Sequence, residues 1–519
     1  MTLLLRSTLS LRSCLMWAAV VFWLVASVPY EVMCTDTALC TTKRLIVDTP
    51  NGSRSDLETP TFSNSTPDRS AHHVVVANQP PWHNDVWIWL GSTLRKMGYL
   101  VTVTAECDWT APGETCVSYG LLESAMEAGV WEGPLARKGE LTKVLNDRDV
   151  NGRLPDVVFL TTENTDIPHW EDELWRAWEA RAPDEKFKVV PIYHVPSENL
   201  QTMMMRWTQN GALSLLSHLD ELSREPGFAG LGYEHVRVGI VHPVIDVIDQ
   251  VYVAEGVHET PRHEHVMLCR AVVVGQISES RRDYRSLLND LERNIEDTAD
   301  PDLWGYHWDS NENVWSPKDE WDPTTFKLVL IGDQHPGERF ALGNLKNVVQ
   351  IIVGESQDDF YKVMAYSDVM LTAWWPDAPY YARQVSGGTY RALEVDVPVM
   401  VTRAVQKRYT FLDGVSVVRP HSISDMEAIR LFRKYSHFDF TLMSQPAIQQ
   451  LVSEEYPSRN NVYLLSEVAK MLRNGWRMPP AAFAKQRQNL WAHNRETLDD
   501  IINRGMTVLV DQMPEMFVA

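Results

Sequence analysis

The chain has 519 residues, too many for one hydrophobic core and enough for two domains with appendages. Its 44% apolar and 23% charged residues are ordinary for a globular protein. The formal net charge of −21 disfavours general electrostatic attraction to nucleic acid, so no nucleic-acid partner is expected.

Arg6 and Arg12 precede an apolar run, Cys14–Tyr30, and Glu31 and Asp36 follow it. As a helix this run would be about 25 Å long, against roughly 30 Å for a bilayer core. Two readings stand: a signal anchor over residues 13–33 behind a cytosolic tail, 1–12, or a signal peptide cleaved after Ser27. The first implies a single-pass type II protein of the Golgi or ER membrane, held through its N-terminal segment; the second implies secretion. Residues 34–72 read as a lumenal stem, rich in Ser, Thr and Pro. Within it Asn51-Gly52-Ser53 and Asn64-Ser65-Thr66 are N-glycosylation acceptors. Of the six cysteines, Cys34 with Cys40 and Cys107 with Cys116 are spaced for short disulfide loops, and no spacing suggests zinc. Nineteen tryptophans is a high count, explained first by core packing and second by stacking on sugar faces.

From residue 73 to 255 the pattern is that of a Rossmann-like α/β domain. A short apolar strand, His73–Ala77, leads into the loop Asn78–Asp85, a helix over Val86–Met97 that stops at Gly98, and a second strand, Tyr99–Thr104. Further buried strands are expected at Asp156–Leu160, Lys188–Tyr193 and Val236–Val241, with helices at Trp170–Arg181 and Gly211–Leu222. The polar stretch Glu255–Glu264 reads as an interdomain linker.

A second Rossmann-like domain is expected over residues 268–480. It opens with the strand Ala271–Gly275 and a helix at Tyr284–Glu296. The acidic, Trp-rich stretch Thr298–Asp322 reads as an inserted loop. Strands follow at Phe326–Ile331, Val348–Val353, Val369–Thr372, Val397–Val401 and Val415–Val418, with a helix at Asp358–Ala365 and another that opens at Ser386-Gly387-Gly388-Thr389. Helices at Val462–Leu472 and over 481–519 close the chain. The expected architecture is α/β, two doubly wound domains facing a cleft.

The order of these signals resembles the sugar-nucleotide domain of GT-B glycosyltransferases of the group-1, family 4-like type. The resemblance is carried by Val274–Tyr284, Leu328–Gly332, Phe360–Thr372 and Ser386–Thr402, and it covers about Ala271 to Met426. It implies a transferase that moves a sugar from a nucleotide-sugar donor to a hydroxyl of a glycan, protein or lipid; the alternative is an inactive binding or scaffold protein that keeps the fold. No metal and no other cofactor is expected, because no Asp-x-Asp cation site follows an early strand.

The resemblance places the donor at Gly275, Arg281, Arg282, Gly332, Ser386, Gly387, Gly388, Thr389 and Glu394. Arginines where a strand turns into a helix bind phosphate bidentately and offset the charge of a leaving diphosphate. Glycines at a helix start let backbone N–H groups approach an anion. Glu394 is the candidate for ribose hydroxyls. The family's glutamate pair is absent, however: aligned on Pro398 its two positions hold Arg383 and Arg391, and aligned on Glu394 the earlier one holds Ser386. In the first domain, His83 and Asp85 follow strand one at the cleft end of the sheet and are the candidates for a base that deprotonates an acceptor hydroxyl. His194, after Tyr193, and Trp374-Trp375-Pro376-Asp377 are weaker candidates for the cleft wall.

Overall fold

Among the described residues, thirteen of fifteen strands lie in two all-parallel sheets, and the sequence reads accordingly: the central strands are Val- and Leu-rich runs buried on both faces. The computed structural model describes residues 69–80, 83–105, 131, 133–149, 151–194, 198–219, 236–245, 267–297, 302–319, 322–333, 341–354, 357–375, 378, 380, 384–457 and 461–504. The tail, anchor and most of the stem, both glycosylation acceptors, the two cysteine pairs, Trp82, the Glu255–Glu264 linker and Pro376-Asp377 lie outside the described residues. No described helix is long and apolar enough to cross a membrane.

The first domain runs β1 (His73–Asn78), α1 (Asn84–Lys96), β2 (Leu100–Ala105), β3 (Leu135–Arg137), α2 (Leu141–Asn146), β4 (Val157–Leu160), α3 (Glu163–Glu179), β5 (Lys188–Tyr193), α4 (Glu198–Gln209), β6 (Ser214–Ser217) and β7 (Arg237–Ile240). The strand order is β3-β2-β1-β4-β5-β6-β7. Alternate residues of β1 serve opposite faces: Val74 and Val76 join one apolar cluster with α1, while Val75 and Ala77 join another with α3.

The second domain runs β8 (Arg270–Val274), α5 (Tyr284–Glu296), β9 (Tyr306–Asp309), β10 (Val314–Pro317), β11 (Lys327–Ile331), β12 (Val349–Ile352), α6 (Gln357–Ala365), β13 (Val369–Leu371), α7 (Gly387–Glu394), β14 (Val399–Thr402), α8 (Arg403–Arg408), β15 (Ser416–Arg419), α9 (Asp425–Lys434), α10 (Gln445–Glu455), α11 (Val462–Asn474) and α12 (Pro480–Asn503). Its sheet order is β12-β11-β8-β13-β14-β15. Chain direction across each sheet reverses beside one strand, between β1 and β4 in the first and between β8 and β13 in the second. These are the switch points at which doubly wound sheets open a crevice.

Two local expectations are corrected. Gly211–Leu222 was expected to be helical, but its apolar run forms β6, buried along its whole length; a four-residue run with both faces covered has no period that separates strand from helix. The inserted loop Thr298–Asp322 contains an antiparallel hairpin, β9 with β10, in which Trp308 and Trp315 pack edge to face.

Helix α12 ties the domains together. Phe483 and Leu490 enter the core of the second domain, whereas Leu498, Ile501 and Ile502 enter that of the first. Midway, Asn494 brackets the backbone of His242, accepting its N–H at 2.9 Å and donating to its carbonyl at 2.8 Å. At the helix end, Lys188 Nζ donates to Ile501 O at 2.7 Å, placing a cation where the last carbonyls have no helical partner.

Candidate active site in the interdomain cleft

A cavity of about 420 Å³ opens where the C-terminal strand ends of both sheets meet. The first domain contributes His83, Tyr193, His194, His218 and Leu219. The second contributes the β8–α5 turn, Tyr380 and the residues that lead into α7.

On the second-domain wall the two arginines part company. Arg281 is exposed at the cavity, its guanidinium 3.2 Å from the Tyr380 hydroxyl. Arg282 is 5% exposed and donates to the carbonyls of Thr372 and Val274, tying the end of β13 to that of β8. Its Nε has no partner, and burial depresses its pKa. Both precede α5, which Asp283 caps through Ser286 N at 3.1 Å. Gly275 adopts φ +119, and a Cβ there would meet the Arg282 guanidinium at 2.9 Å. Gly387 and Gly388 line the cavity in the first turn of α7. A Cβ on Gly387 would enter open space, and one on Gly388 would touch Met370 at 3.0 Å. The first turn of a helix presents backbone N–H groups without helical acceptors.

Other expected donor residues sit away from the cavity. Gly332, φ +146, packs its Cα against the β8 turn, where a Cβ would lie 2.1 Å from Gly275 O. Thr389 is fully buried and donates its hydroxyl to Ser386 O at 2.6 Å, closing the turn at which Ser386 meets the cavity. Glu394 is 1% exposed. Its carboxylate accepts Arg391 Nη1 at 2.7 and 2.8 Å, the Tyr361 hydroxyl at 2.8 Å and Ile245 N at 2.7 Å. Burial raises its pKa and the Arg391 guanidinium opposes that. Trp374 is buried in the core, stacked on Tyr380, and Trp375 donates to Glu279 O, so neither lines the cavity.

The first-domain wall is made of imidazoles. His83 stands at φ 61 just before α1, a left-handed conformation uncommon outside glycine and a mark of a constrained position. Its ring stacks on His194 with centroids 4.3 Å apart, and His194 lies 5.0 Å from His218. The tautomer of His83 follows from its neighbours. Asn78 Nδ2 donates to Pro80 O at 2.8 Å, so Asn78 Oδ1 accepts, and it takes the Thr162 hydroxyl proton at 3.0 Å. Thr162 Oγ1 therefore accepts from His83 Nδ1 at 3.0 Å, and the lone pair of His83 lies on Nε2. Burial, then repulsion from His194, lowers the His83 pKa to about 3, so the ring is neutral at pH 7.

Two fully buried acidic side chains at the start of α3 hold these loops, and burial raises the pKa of Asp166 to about 8. Asp166 accepts Gln79 N and Thr162 N, each at 2.7 Å, and Glu163 accepts His194 N at 3.0 Å. Neither residue was identified from the sequence: the expected helix began at Trp170, whereas α3 begins at Glu163 and carries both in its first turn. Asp85 is not in the cavity lining. It pairs with Arg391 Nη2 at 2.7 Å, across the domain boundary. Burial favours its neutral form, but the Arg391 guanidinium and the neighbouring imidazoles more than offset this, and its pKa is depressed. Turned from the cavity into this ion pair, Asp85 is a strut beside His83. Among the described residues, no group of three or more His, Cys, Asp or Glu is placed to hold a metal ion.

No protein-family model and no curated protein matches the chain. Solved structures similar to it include HepE of Anabaena in complex with UDP-glucose, 12% identical with a TM-score of 0.46, over 83% of this chain and 99% of that one. An alpha-glucosyltransferase in complex with UDP-glucose and DNA containing an abasic site is 10% identical with a TM-score of 0.43, over 81% and 99%. A trehalose 6-phosphate synthase from Burkholderia multivorans is 9% identical with a TM-score of 0.41, over 83% and 96%.

Proposed function

We propose that the chain is a glycosyltransferase of GT-B type, which takes a nucleotide sugar in this cleft and passes the sugar to a hydroxyl of a glycan, protein or lipid. One observation carries the reading. A wall with an exposed guanidinium and helix-start N–H groups (Arg281, Gly387, Gly388) faces, across one cavity, a neutral imidazole whose lone pair is fixed on Nε2. A diphosphate needs the first wall, and a reacting hydroxyl needs the second.

In the transfer the anomeric C–O bond to the diphosphate breaks and a bond to the acceptor oxygen forms. Charge growing on the diphosphate falls on Arg281 and the start of α7. The acceptor proton moves toward His83 Nε2, while Thr162 and Asn78 keep the ring in place. Arg282, Gly332 and Asp85 act indirectly by shaping the loops. No metal enters this scheme.

A second reading, a nucleotide-sugar-binding protein without turnover, draws on one observation: the carboxylate proposed for ribose, Glu394, is sealed behind Arg391 and Tyr361. Release of free nucleoside diphosphate from UDP- and GDP-sugars in the presence of mixed glycan acceptors separates the two. Turnover that is lost in His83→Asn supports the transferase; binding without turnover in wild type supports the second. For the site of action we propose the lumen of the Golgi or ER, from the arginine-flanked Cys14–Tyr30 run and the Asn51 and Asn64 acceptors. A mobility shift on endoglycosidase treatment of the expressed full chain tests it.

A further inference from the structure

The imidazole wall has a polarity that bears on which sugar it takes. Three rings line it, and each turns its protonated nitrogen into the protein. His83 Nδ1 donates to Thr162, His194 Nε2 to Thr161 O at 2.8 Å, and His218 Nδ1 to Val241 O at 3.0 Å. A backbone carbonyl only accepts, so the last two assignments need no further choice. The remaining nitrogens, His83 Nε2, His194 Nδ1 and His218 Nε2, are lone-pair acceptors. None has a partner among the described residues, and none is sealed from the cavity.

The charged groups near them do not change this polarity. Asp85 is bound to Arg391, Glu163 accepts the backbone N–H of His194, and Arg281 stands on the opposite wall. Burial holds His218 well below the ordinary imidazole range, as it does His83. The wall therefore offers three hydrogen-bond acceptors in a row, at ring spacings of 4.3 and 5.0 Å.

We propose that His194 and His218, beside the His83 lone pair kept for the acceptor hydroxyl, recognise the hydroxyls of an uncharged sugar, and that the cleft rejects nucleotide sugars bearing a carboxylate on that sugar. The inference rests on the nucleotide-sugar reading above. A hydroxyl donates to an imine nitrogen. A carboxylate has no proton to give, and its lone pairs would face those of His194 and His218 after losing their water. Selectivity built on unpaired polar groups is larger than selectivity built on size, because the wrong ligand leaves both sides unsatisfied.

The test uses matched pairs on the full chain at pH 8: UDP-glucose with UDP-glucuronate, and GDP-mannose with GDP-mannuronate, each titrated calorimetrically beside plain UDP and GDP. The expected result is that the neutral member of the pair whose plain diphosphate binds is at least about ten-fold tighter than its acidic partner. Equal or tighter binding of the acidic member overturns the inference while leaving the nucleotide-sugar reading intact. Failure of both diphosphates and all four sugars to bind overturns both. His194→Arg, at a half-buried position, replaces an acceptor by fixed donors and is expected to shrink the ratio; an unchanged ratio in that variant also counts against the wall as its source.

Discussion

Arg391 and Asp85 sit 2.7 Å apart on helices of different domains, α7 and α1, and the same guanidinium holds Glu394 one turn further along its own helix. The pair fixes the distance between the helix start that lines the cavity and the loop that carries His83. Arg391 thus serves as an interdomain strut and lies outside the cavity lining.

Removing that strut is costly because Glu394 is buried and Asp85 half-buried. Arg391→Ala leaves Glu394, 1% exposed, and Asp85 without their cation, and is expected to lower stability by about 3–5 kcal/mol. Arg391→Met combined with Glu394→Gln removes both buried charges and is expected to recover part of the loss. Denaturant unfolding of the three proteins measures this; equal stability of Arg391→Ala and wild type would remove the strut from the description.

The two arginines of the β8–α5 turn are expected to fail in different ways. Arg281→Ala, which removes an exposed cation, is expected to leave the melting temperature unchanged and weaken sugar-nucleotide binding roughly 10- to 100-fold. Arg282→Ala orphans the carbonyls of Thr372 and Val274 and is expected to destabilise by about 2–4 kcal/mol. Thermal melting with and without ligand distinguishes them, and the reverse pattern would exchange their roles.

Gly387 and Gly332 form a similar contrast. A methyl on Gly387 meets nothing within 4 Å, so Gly387→Ala is expected to fold normally while obstructing the approach of an anion. Gly332→Ala drives a Cβ into Gly275 O from a positive φ and is expected to destabilise by about 3 kcal/mol or more. Melting curves and nucleotide titrations of both variants check the division.

The pH dependence follows from His83. With its folded pKa lowered to about 3, the ring keeps its lone pair throughout the neutral range and protonates only as pH falls toward that value. The acid limb of kcat/KM is therefore expected below about pH 4.5, with no histidine-like inflection near 6.5. A limb at pH 6–7 in the wild type would mean that the ring is less shielded than its burial implies.

Much of this architecture is legible in the chain. The buried runs at Val74–Ala77 and Ala271–Val274, the helix start at Gly387 and the basic turn at Arg281 announce two parallel sheets and one wall of the cavity. What is not legible is which polar residue faces the cavity. Arg281 and Arg282 are adjacent and chemically identical in sequence, and only the close packing of β8 and β13 turns one inward. The Asp85–Arg391 pair joins positions far apart in the chain, and no local pattern indicates it. The histidines of the wall lie on three separate loops after β1, β5 and β6, and the last of these strands was itself read as helix. Asp166 and Glu163 hide in a helix start, where acidic residues are expected for reasons that have nothing to do with a site.

The measurement that bears most directly on the cleft as a nucleotide-sugar site is calorimetric titration of the full chain and its Arg281→Ala variant with UDP- and GDP-sugars. Saturable binding to wild type, weakened at least about ten-fold in Arg281→Ala with the melting temperature of the free protein preserved, is the expected result. Absence of binding to wild type, or binding that Arg281→Ala leaves untouched, would contradict it.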